Sequence, residues 1–206
     1  IAGMALSQNV IHVSKGGTDT RDSSESKYDI ADPYLTIAAA TAAAESGDLI
    51  IVYPGVYNNE VSLLKDGVNY YFHPGASIVN QSGQVADFMF KDTGVLSSNV
   101  YGLGSFISQD SQYPSVIKLL NSGSTVLFNA NVIQSTVAGE VAVNHVHGNL
   151  QVSAVKILAV GDAIKSFDNK LIVKDAYVKS TAGYACLVNG ASAEILIENC
   201  QLHAEA

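Results

Sequence analysis

Three carboxylates in the C-terminal half are the first residues whose type and spacing could carry out chemistry. Asp162, Asp168 and Asp175 lie close together in the sequence, and glycoside hydrolysis needs two carboxyl groups about 5–10 Å apart. Asparagine follows Asp168, however, and this pair is typical of a turn. We interpret Asp175 as a corner residue. The spacing therefore favours turn residues over an acid–base pair.

Two histidines could bind a metal ion. His145 and His147 are two residues apart in a strand-like run, so they would project from the same face and could share an ion. No cysteine or carboxylate accompanies them closely in the sequence. We expect a pair that faces solvent, and we predict neither a metal site nor a cofactor.

An acidic segment near the N-terminus is a second candidate for a metal ion, because carboxylates are the preferred ligands of calcium. Its spacing does not match a calcium-binding loop, so we expect a polar capping loop. Its acidic residues are Asp19, Asp22, Glu25, Asp29 and Asp32.

Tyrosines that face outward could stack on sugar rings, and this chain has ten. We predict glycan contacts at Tyr101, Tyr113, Tyr177 and Tyr184. The other available tyrosines are Tyr57, Tyr70 and Tyr71.

The composition and net charge of the chain limit which partners it could bind. The chain has 206 residues, 48% of them hydrophobic, and a net charge of −8. That charge argues against nucleic acid or an anionic membrane as a partner. No apolar run reaches about 18 residues, so we expect no membrane insertion. Cys186 and Cys200 both lie in apolar runs, and we predict two buried free thiols.

A repeat of 21 to 30 residues runs through most of the chain. In most copies the first, third and eighth places are apolar and the sixth is small. The copies begin at Leu49, Tyr70, Val100, Val126, Leu150, Leu171 and Ile195. A further strand-like run follows in most intervals, beginning at Asp87, Ser115, Glu140, Asp162 and Ala185. Three short strands per repeat predict an all-β fold, a parallel β-helix of about seven coils.

Two local signals complete the predicted architecture. Pro54-Gly55 interrupts an apolar strand and predicts a corner of the solenoid. An alanine-rich helix, with Asp32 as its cap, Pro33 at its start and Gly47 after its end, would cover the first coil. Its apolar side would contain Leu35, Ile37 and Ala38. We therefore divide the chain into an N-terminal strand, loop and helix (1–47) and a β-helix (48–206).

The N-terminal segments resemble a known family. "IHVSKGGTD" and "DPYLTIAAATAAAESGDLIIVYPGVY" are similar to the beginning of right-handed β-helix proteins of the pectate-lyase-like superfamily. The resemblance covers residues 11–57 and implies a right-handed solenoid. The superfamily contains polysaccharide lyases, hydrolases and esterases, and also phage tailspikes, fibres and bacterial surface proteins, so the resemblance alone does not define the function.

The catalytic residues that the resemblance implies are absent or displaced. The lyases use a basic residue, but the single arginine, Arg21, lies in the N-terminal loop. The lysines that remain available, which we expect to be solvated, are Lys156, Lys174 and Lys179.

The esterase and galacturonase patterns are also incomplete. Glu60 stands one place late after Gly55-Val56-Tyr57, and a lysine replaces the glycine after Asp87-Phe88-Met89-Phe90. Gln109-Asp110 follows the aspartate motif instead of preceding it. Val146-His147-Gly148 is the nearest approach to the galacturonase motif, but it lacks the partner aspartates and arginine.

These observations predict a non-catalytic structural or attachment protein. Our first hypothesis is a component of a virus particle, such as a phage fibre, spike or surface protein, located at the virion surface or outside the cell. Its partners would be other subunits, with a homotrimer as one arrangement, and a glycan. The alternatives are a secreted or cell-surface protein that binds or degrades polysaccharide, and a bacterial adhesin.

The last repeat ends within a coil, at "ILIENCQLHAEA". Because solenoids need covered ends, we expect further coils or a neighbouring subunit to cover this one.

Overall fold

Short apolar runs with alternating burial become the strands of a solenoid in a computed structural model that describes residues 9–20 and 26–205. Arg21, Asp22 and Glu25 lie outside the described residues. The elements are β1 (Val10–Val13), α1 (Ile37–Ala43), β2 (Leu49–Val52), β3 (Gly55–Asn58), β4 (Asn69–Phe72), β5 (Ala76–Asn80), β6 (Phe90–Lys91), β7 (Ser97–Gly102), β8 (Ser105–Ser108), β9 (Ile117–Leu119), β10 (Thr125–Ser135), β11 (Val143–His145), β12 (Asn149–Ala159), β13 (Ile164–Lys174), β14 (Tyr177–Ser180), β15 (Cys186–Glu198) and β16 (Gln201–Ala204).

All strand pairs of the described chain are parallel, and they form three faces of a right-handed β-helix. The first face contains β1, β2, β4, β7, the first halves of β10 and β12, and the second halves of β13 and β15. The second face contains β3, β5, β8, the second halves of β10 and β12, and then β14 and β16. The third face contains β6, β9, β11 and the first halves of β13 and β15.

The solenoid has about six turns, whereas the sequence predicts about seven. Seven first-face strands, from β2 to β15, enclose only six intervals. The number of repeats in the sequence is therefore the number of first-face strands, which is one more than the number of closed turns. The interval between β2 and β4 also lacks a strand on the third face. There Ser62 and Leu63 donate backbone hydrogen bonds to the next turn instead.

The predicted register is confirmed in the C-terminal turns and wrong in two others. Leu150 pairs with Leu171, and Leu171 pairs with Ile195, as the repeat predicts. Tyr70, however, pairs with Ile50 and not with Leu49, and Val100 pairs with Phe128 and not with Val126. Strand β2 is apolar on both faces, so alternation alone cannot define which of its residues point inward.

The core consists of residues that stack from turn to turn inside the three faces. Its centre is a column of aromatic rings, Phe72, Phe90, Phe106 and Phe128, all fully buried. Phe90 and Phe128 meet edge to face with their centroids 4.8 Å apart, and Phe90 and Phe106 are 5.0 Å apart. This geometry suits aromatic quadrupoles, and it ties the third face to the other two.

Glycine occupies two of the corners between faces. Pro54-Gly55 separates β2 from β3, which confirms the predicted corner, and the amide of Gly55 donates to the carbonyl of Gly75 at 3.1 Å. Gly102 has φ of 96° and lies against the backbone of Phe72. Only glycine fits this conformation and this close approach.

The capping helix is present but begins later than Pro33. Thr36 is its N-cap residue, and α1 begins at Ile37. Tyr34 cannot be helical because its amide donates to His12 and its carbonyl accepts from Ser14. These bonds extend the sheet at β1, so the helix begins at Ile37 and not at Pro33.

Both ends of α1 are held by the loop that follows β3. Glu60 accepts from the amides of Ile37 and Ala38 at 3.0 and 2.8 Å, and Lys65 donates to the carbonyls of the last turn. The charges complement the helix dipole. The buried side of α1 consists of Ile37, Ala40 and Thr41, so the prediction that Ala38 is on the apolar side is wrong.

The last described turn exposes residues whose positions are inward. Val188, Ile197 and Leu202 are 51%, 36% and 47% exposed. Cys186 and Cys200 are free thiols, as predicted, but half-buried. Partial burial raises the pKa of Cys186.

Candidate functional site

The buried carboxylates of the turns hold neighbouring turns together. Asp92 is 1% exposed and accepts from the amides of Leu120 and Asn121 at 2.7 and 2.8 Å, and from the hydroxyl of Ser124 at 2.8 Å. These donors all belong to the next turn. Both oxygens of this carboxylate are therefore engaged by donors of the next turn.

Asp110 has the same role on another loop. Its side chain, 1% exposed, accepts from the amides of Gly83, Gln112 and Tyr113 at 2.6 to 2.8 Å. One donor belongs to the preceding turn, so Asp110 also joins two turns.

The structure does not bring Asp162, Asp168 and Asp175 together. They occupy the three successive corners of one turn: before β13, at its irregularity between the third and first faces, and after it. Asp162 accepts from the amide of Tyr184 at 2.8 Å, and Asp175 accepts from the side-chain amide of Asn199 at 2.7 Å. Their placement at corners excludes a converging acid pair on this turn.

The carboxylates of the incomplete esterase pattern also have structural partners. Glu60, 3% exposed, caps α1. Burial raises the pKa of Glu60, and the two amide bonds oppose that rise. Asp87 contacts Lys91 at 3.0 Å. Partial burial would raise the pKa of Asp87, but Lys91 and hydrogen bonds from Phe88 and Ser62 lower it.

His145 does not form a solvent-facing pair with His147, so this prediction is wrong. Strand β11 ends at His145, which is fully buried, while His147 is partly exposed beside Asp168 at 3.5 Å. Nε2 of His145 contacts the carbonyl of Gly148 and Nδ1 contacts the hydroxyl of Ser166, both at 2.8 Å. A carbonyl only accepts, so Nε2 carries the proton. Burial lowers the pKa of His145 and keeps it neutral.

Neither ring nitrogen of His145 is therefore available to a metal ion. Within residues 9–20 and 26–205, no group of three or more histidine, cysteine or acidic side chains is arranged to hold one. Asp19, from the acidic N-terminal loop, accepts from the amides of Leu35 and Thr36 at 2.9 and 3.0 Å. This bond supports the start of α1.

The four tyrosines predicted to contact glycan lie on different surfaces. Tyr101 is on the first face and Tyr177 on the second. Tyr113 and Tyr184 both precede third-face strands, and Tyr184 is 62% exposed. Two further available tyrosines, Tyr57 and Tyr70, are buried, so they cannot contact a glycan.

A stack of rings, which is not among the sequence-based predictions, lies at the N-terminal end of the first face. Tyr53 lies between His12 and His73, with ring centroids 5.8 and 5.1 Å away. Desolvation lowers the pKa of His12. Because the ring faces of Tyr53 are covered by its neighbours, the stack stabilises the turns and does not offer a platform for sugars. The recurrence of an aromatic residue directly after β2 and β4 is the signal for it.

A shallow groove of about 260 Å³ lies on the outside of the first face. Leu127, Gln151 and Ile172 stack in register along it, and Asn99 and Asn149 lie at its sides. Its one ionic side chain, Lys170, pairs with Glu194 at 3.2 Å. Amides and apolar side chains can bind a ligand by contact and hydrogen bonds, but they supply no acid or base.

Lys174 and Lys179, two of the lysines weighed as a catalytic base, are paired as well. Lys174 contacts Glu198 and Lys179 contacts Glu205, each at 2.6 Å. Lys156 is exposed on the second face. The three lysines are outward strand residues, as predicted.

In comparisons with known proteins, no family model, curated protein or solved structure matches the chain. No helix among the described residues is long and apolar enough to cross a membrane. The class that the fold defines is the right-handed parallel β-helix.

Proposed function

We propose that this chain is a non-catalytic structural and attachment protein, located at the surface of a virus particle as part of a fibre, spike or surface layer. The observation that carries the proposal is the use of the carboxylates. Asp92, Asp110 and Glu60 are buried, and each accepts two or more backbone hydrogen bonds, at least one of them from another turn or from the helix. These three carboxylates are engaged in holding the solenoid and its helix together, which supports a structural role for them.

The rod geometry supports an attachment role. Parallel turns present side chains at a regular spacing of about 4.8 Å along the outside, which suits contact with an extended ligand or with neighbouring subunits. The resemblance of residues 11–57 to the pectate-lyase-like superfamily, which includes phage tailspikes and fibres, is consistent with this location. We propose other subunits of the particle and a glycan as partners, and a homotrimer as the assembly to test first.

The absence of catalysis is tested with purified protein and a panel of pectins, alginates and bacterial capsules. We expect release of neither unsaturated sugars nor reducing ends. Cleavage that is lost in Asp162→Asn, Asp168→Asn or Asp175→Asn, with the fold retained, would overturn the proposal.

The location is tested by gold-labelled antibodies against the protein in electron micrographs. We expect label on virus particles, and genes for other particle proteins beside this gene. Label confined to the cell envelope would contradict the virion assignment and support the adhesin alternative.

A further inference from the structure

The outside of the third face carries a column of basic side chains. Lys91 pairs in register with Lys118, Lys118 with Asn144, and Asn144 with Lys165. We call these four residues the lysine column. Adjacent positions are about 4.8 Å apart, so the column extends for about 14 Å along the solenoid axis.

Three other lysines of the solenoid contact acidic residues of the next turn and not other lysines. On the first and second faces, each of three outward lysines contacts a glutamate of the next turn at 2.6 to 3.2 Å. The three pairs are Lys170–Glu194, Lys174–Glu198 and Lys179–Glu205. Like charges that lie directly opposite destabilise a sheet. Lys91 over Lys118 therefore departs from the arrangement used elsewhere, and the column concentrates positive charge in a chain of net charge −8.

Nearby carboxylates compensate this charge only in part. Asp87 pairs with Lys91, and Glu140 and Asp87 act on Lys118 from a longer distance. In the described chain, no carboxylate lies within 4 Å of the ammonium of Lys118 or Lys165. Lys118 instead lies 4.1 Å from the ring centroid of Phe88. Partial burial, followed by the charge of Lys91, lowers the pKa of Lys118.

The remaining groups around the column suit a sugar. Asn144 lies between Lys118 and Lys165 in register and adds no charge to the column. Tyr113 packs edge-on against Phe88, with centroids 5.3 Å apart. Tyr184, 62% exposed, donates its amide to Asp162 at the start of the same face. Ammonium groups and tyrosine rings together match a saccharide that carries acidic groups.

We propose that the lysine column binds a linear glycan with anionic groups, laid along the solenoid axis across β6, β9, β11 and β13. This inference rests on the proposed attachment function, since it names the surface and the ligand class that attachment would use. The length of the column favours a polymer over a single anion.

The test measures dissociation constants by titration calorimetry with three anionic polymers, hyaluronate, alginate and poly(glycerol phosphate), and with neutral dextran. We expect at least one anionic polymer to bind, with affinity that falls as salt is raised. Lys118→Glu should weaken binding by about ten-fold or more, because it reverses the central charge. Its melting temperature is measured in parallel to show that the fold is retained, because the change removes the repulsion with Lys91 but also the contact with Phe88. Lys165→Gln provides a second variant.

Lys156→Glu is the matched control, because Lys156 is an exposed strand lysine on the second face, beside the neutral residues Val132 and Tyr177. It should leave binding unchanged. Equal loss in Lys156→Glu, unchanged binding in both Lys118→Glu and Lys165→Gln, or binding of dextran alone or of no polymer would overturn the inference. Those results leave the proposed function standing, whereas cleavage of any of the polymers overturns the proposed function instead.

Discussion

At the scale of single residues, several buried polar side chains of this solenoid pair with a specific donor or acceptor. His145 is an example: Nε2 donates to the carbonyl of Gly148 and Nδ1 bonds to the hydroxyl of Ser166, and burial lowers the pKa of His145 and so favours its neutral form. A buried neutral histidine links the stability of the fold to pH.

The pH dependence follows from the lowered pKa of His145. In the unfolded chain this histidine takes up a proton near its ordinary pKa of 6.5, whereas burial in the folded chain opposes protonation. Below that pH the unfolded state binds more protons, so the free energy of unfolding falls as pH decreases. The contribution of one histidine is at most about 1.4 kcal/mol per pH unit.

Chemical denaturation at pH values from 7.5 to about 5 measures this effect. His145→Gln should unfold more easily at neutral pH and have a smaller slope of stability against pH. His12, which is also desolvated, should keep part of the slope. His203→Gln, at an exposed site of the last strand, is the control for the loss of a histidine outside the core. An unchanged slope in His145→Gln would contradict the assignment.

At the scale of elements, the corners determine the solenoid more strictly than the strands do. The strands tolerate different apolar residues at equivalent positions, such as Tyr70, Ile50 and Val100. The corner at Gly102 tolerates one residue type, because its φ is 96° and an added Cβ would overlap the carbonyl of Phe72.

Gly102→Ala should therefore lower the free energy of unfolding by about 2 kcal/mol or more. Gly94→Ala is the matched control, since a Cβ at Gly94 would meet open space, and its stability should change by less than about 0.5 kcal/mol. Urea denaturation compares the two variants. Equal stability would show that the corner relaxes and does not determine the bend.

Individual elements also show how much of the fold can be predicted from the sequence. Period-two alternation and the interval of the repeat predict the class of fold, the stacking of Leu150, Leu171 and Ile195, and the corner at Pro54-Gly55. These patterns do not predict the register where both faces of a strand are apolar, as at Leu49. They also do not predict where a helix begins when the residues before it form backbone hydrogen bonds with a strand. The start of α1 depends on bonds from Tyr34 to β1, which are distant in sequence.

The candidate surfaces are less predictable than the fold for a related reason. Lys91, Lys118 and Lys165 are 27 and 47 residues apart in sequence, and only the register of three pairs of strands brings them into one column. His145 is mispredicted because its strand ends at that residue, which changes the direction of the following chain. Spacing along one strand cannot reveal either relation.

At the scale of the whole molecule, the central claim concerns the buried carboxylates Asp92 and Asp110, which join successive turns through hydrogen bonds. Parallel turns pair their strands through the backbone but leave the amides of the loops unpaired, and an unpaired buried amide is costly. Asp92 and Asp110 supply the missing acceptors.

The most direct test of this claim is the free energy of unfolding of Asp92→Ala beside Asp168→Ala, whose carboxylate is half exposed. Loss of the acceptor for two amides and one hydroxyl should cost Asp92→Ala about 3 kcal/mol, because these donors would stay buried without a partner. Asp168→Ala should lose less than about 0.5 kcal/mol. Full stability of Asp92→Ala, together with a loss of activity on any polysaccharide, would contradict the account.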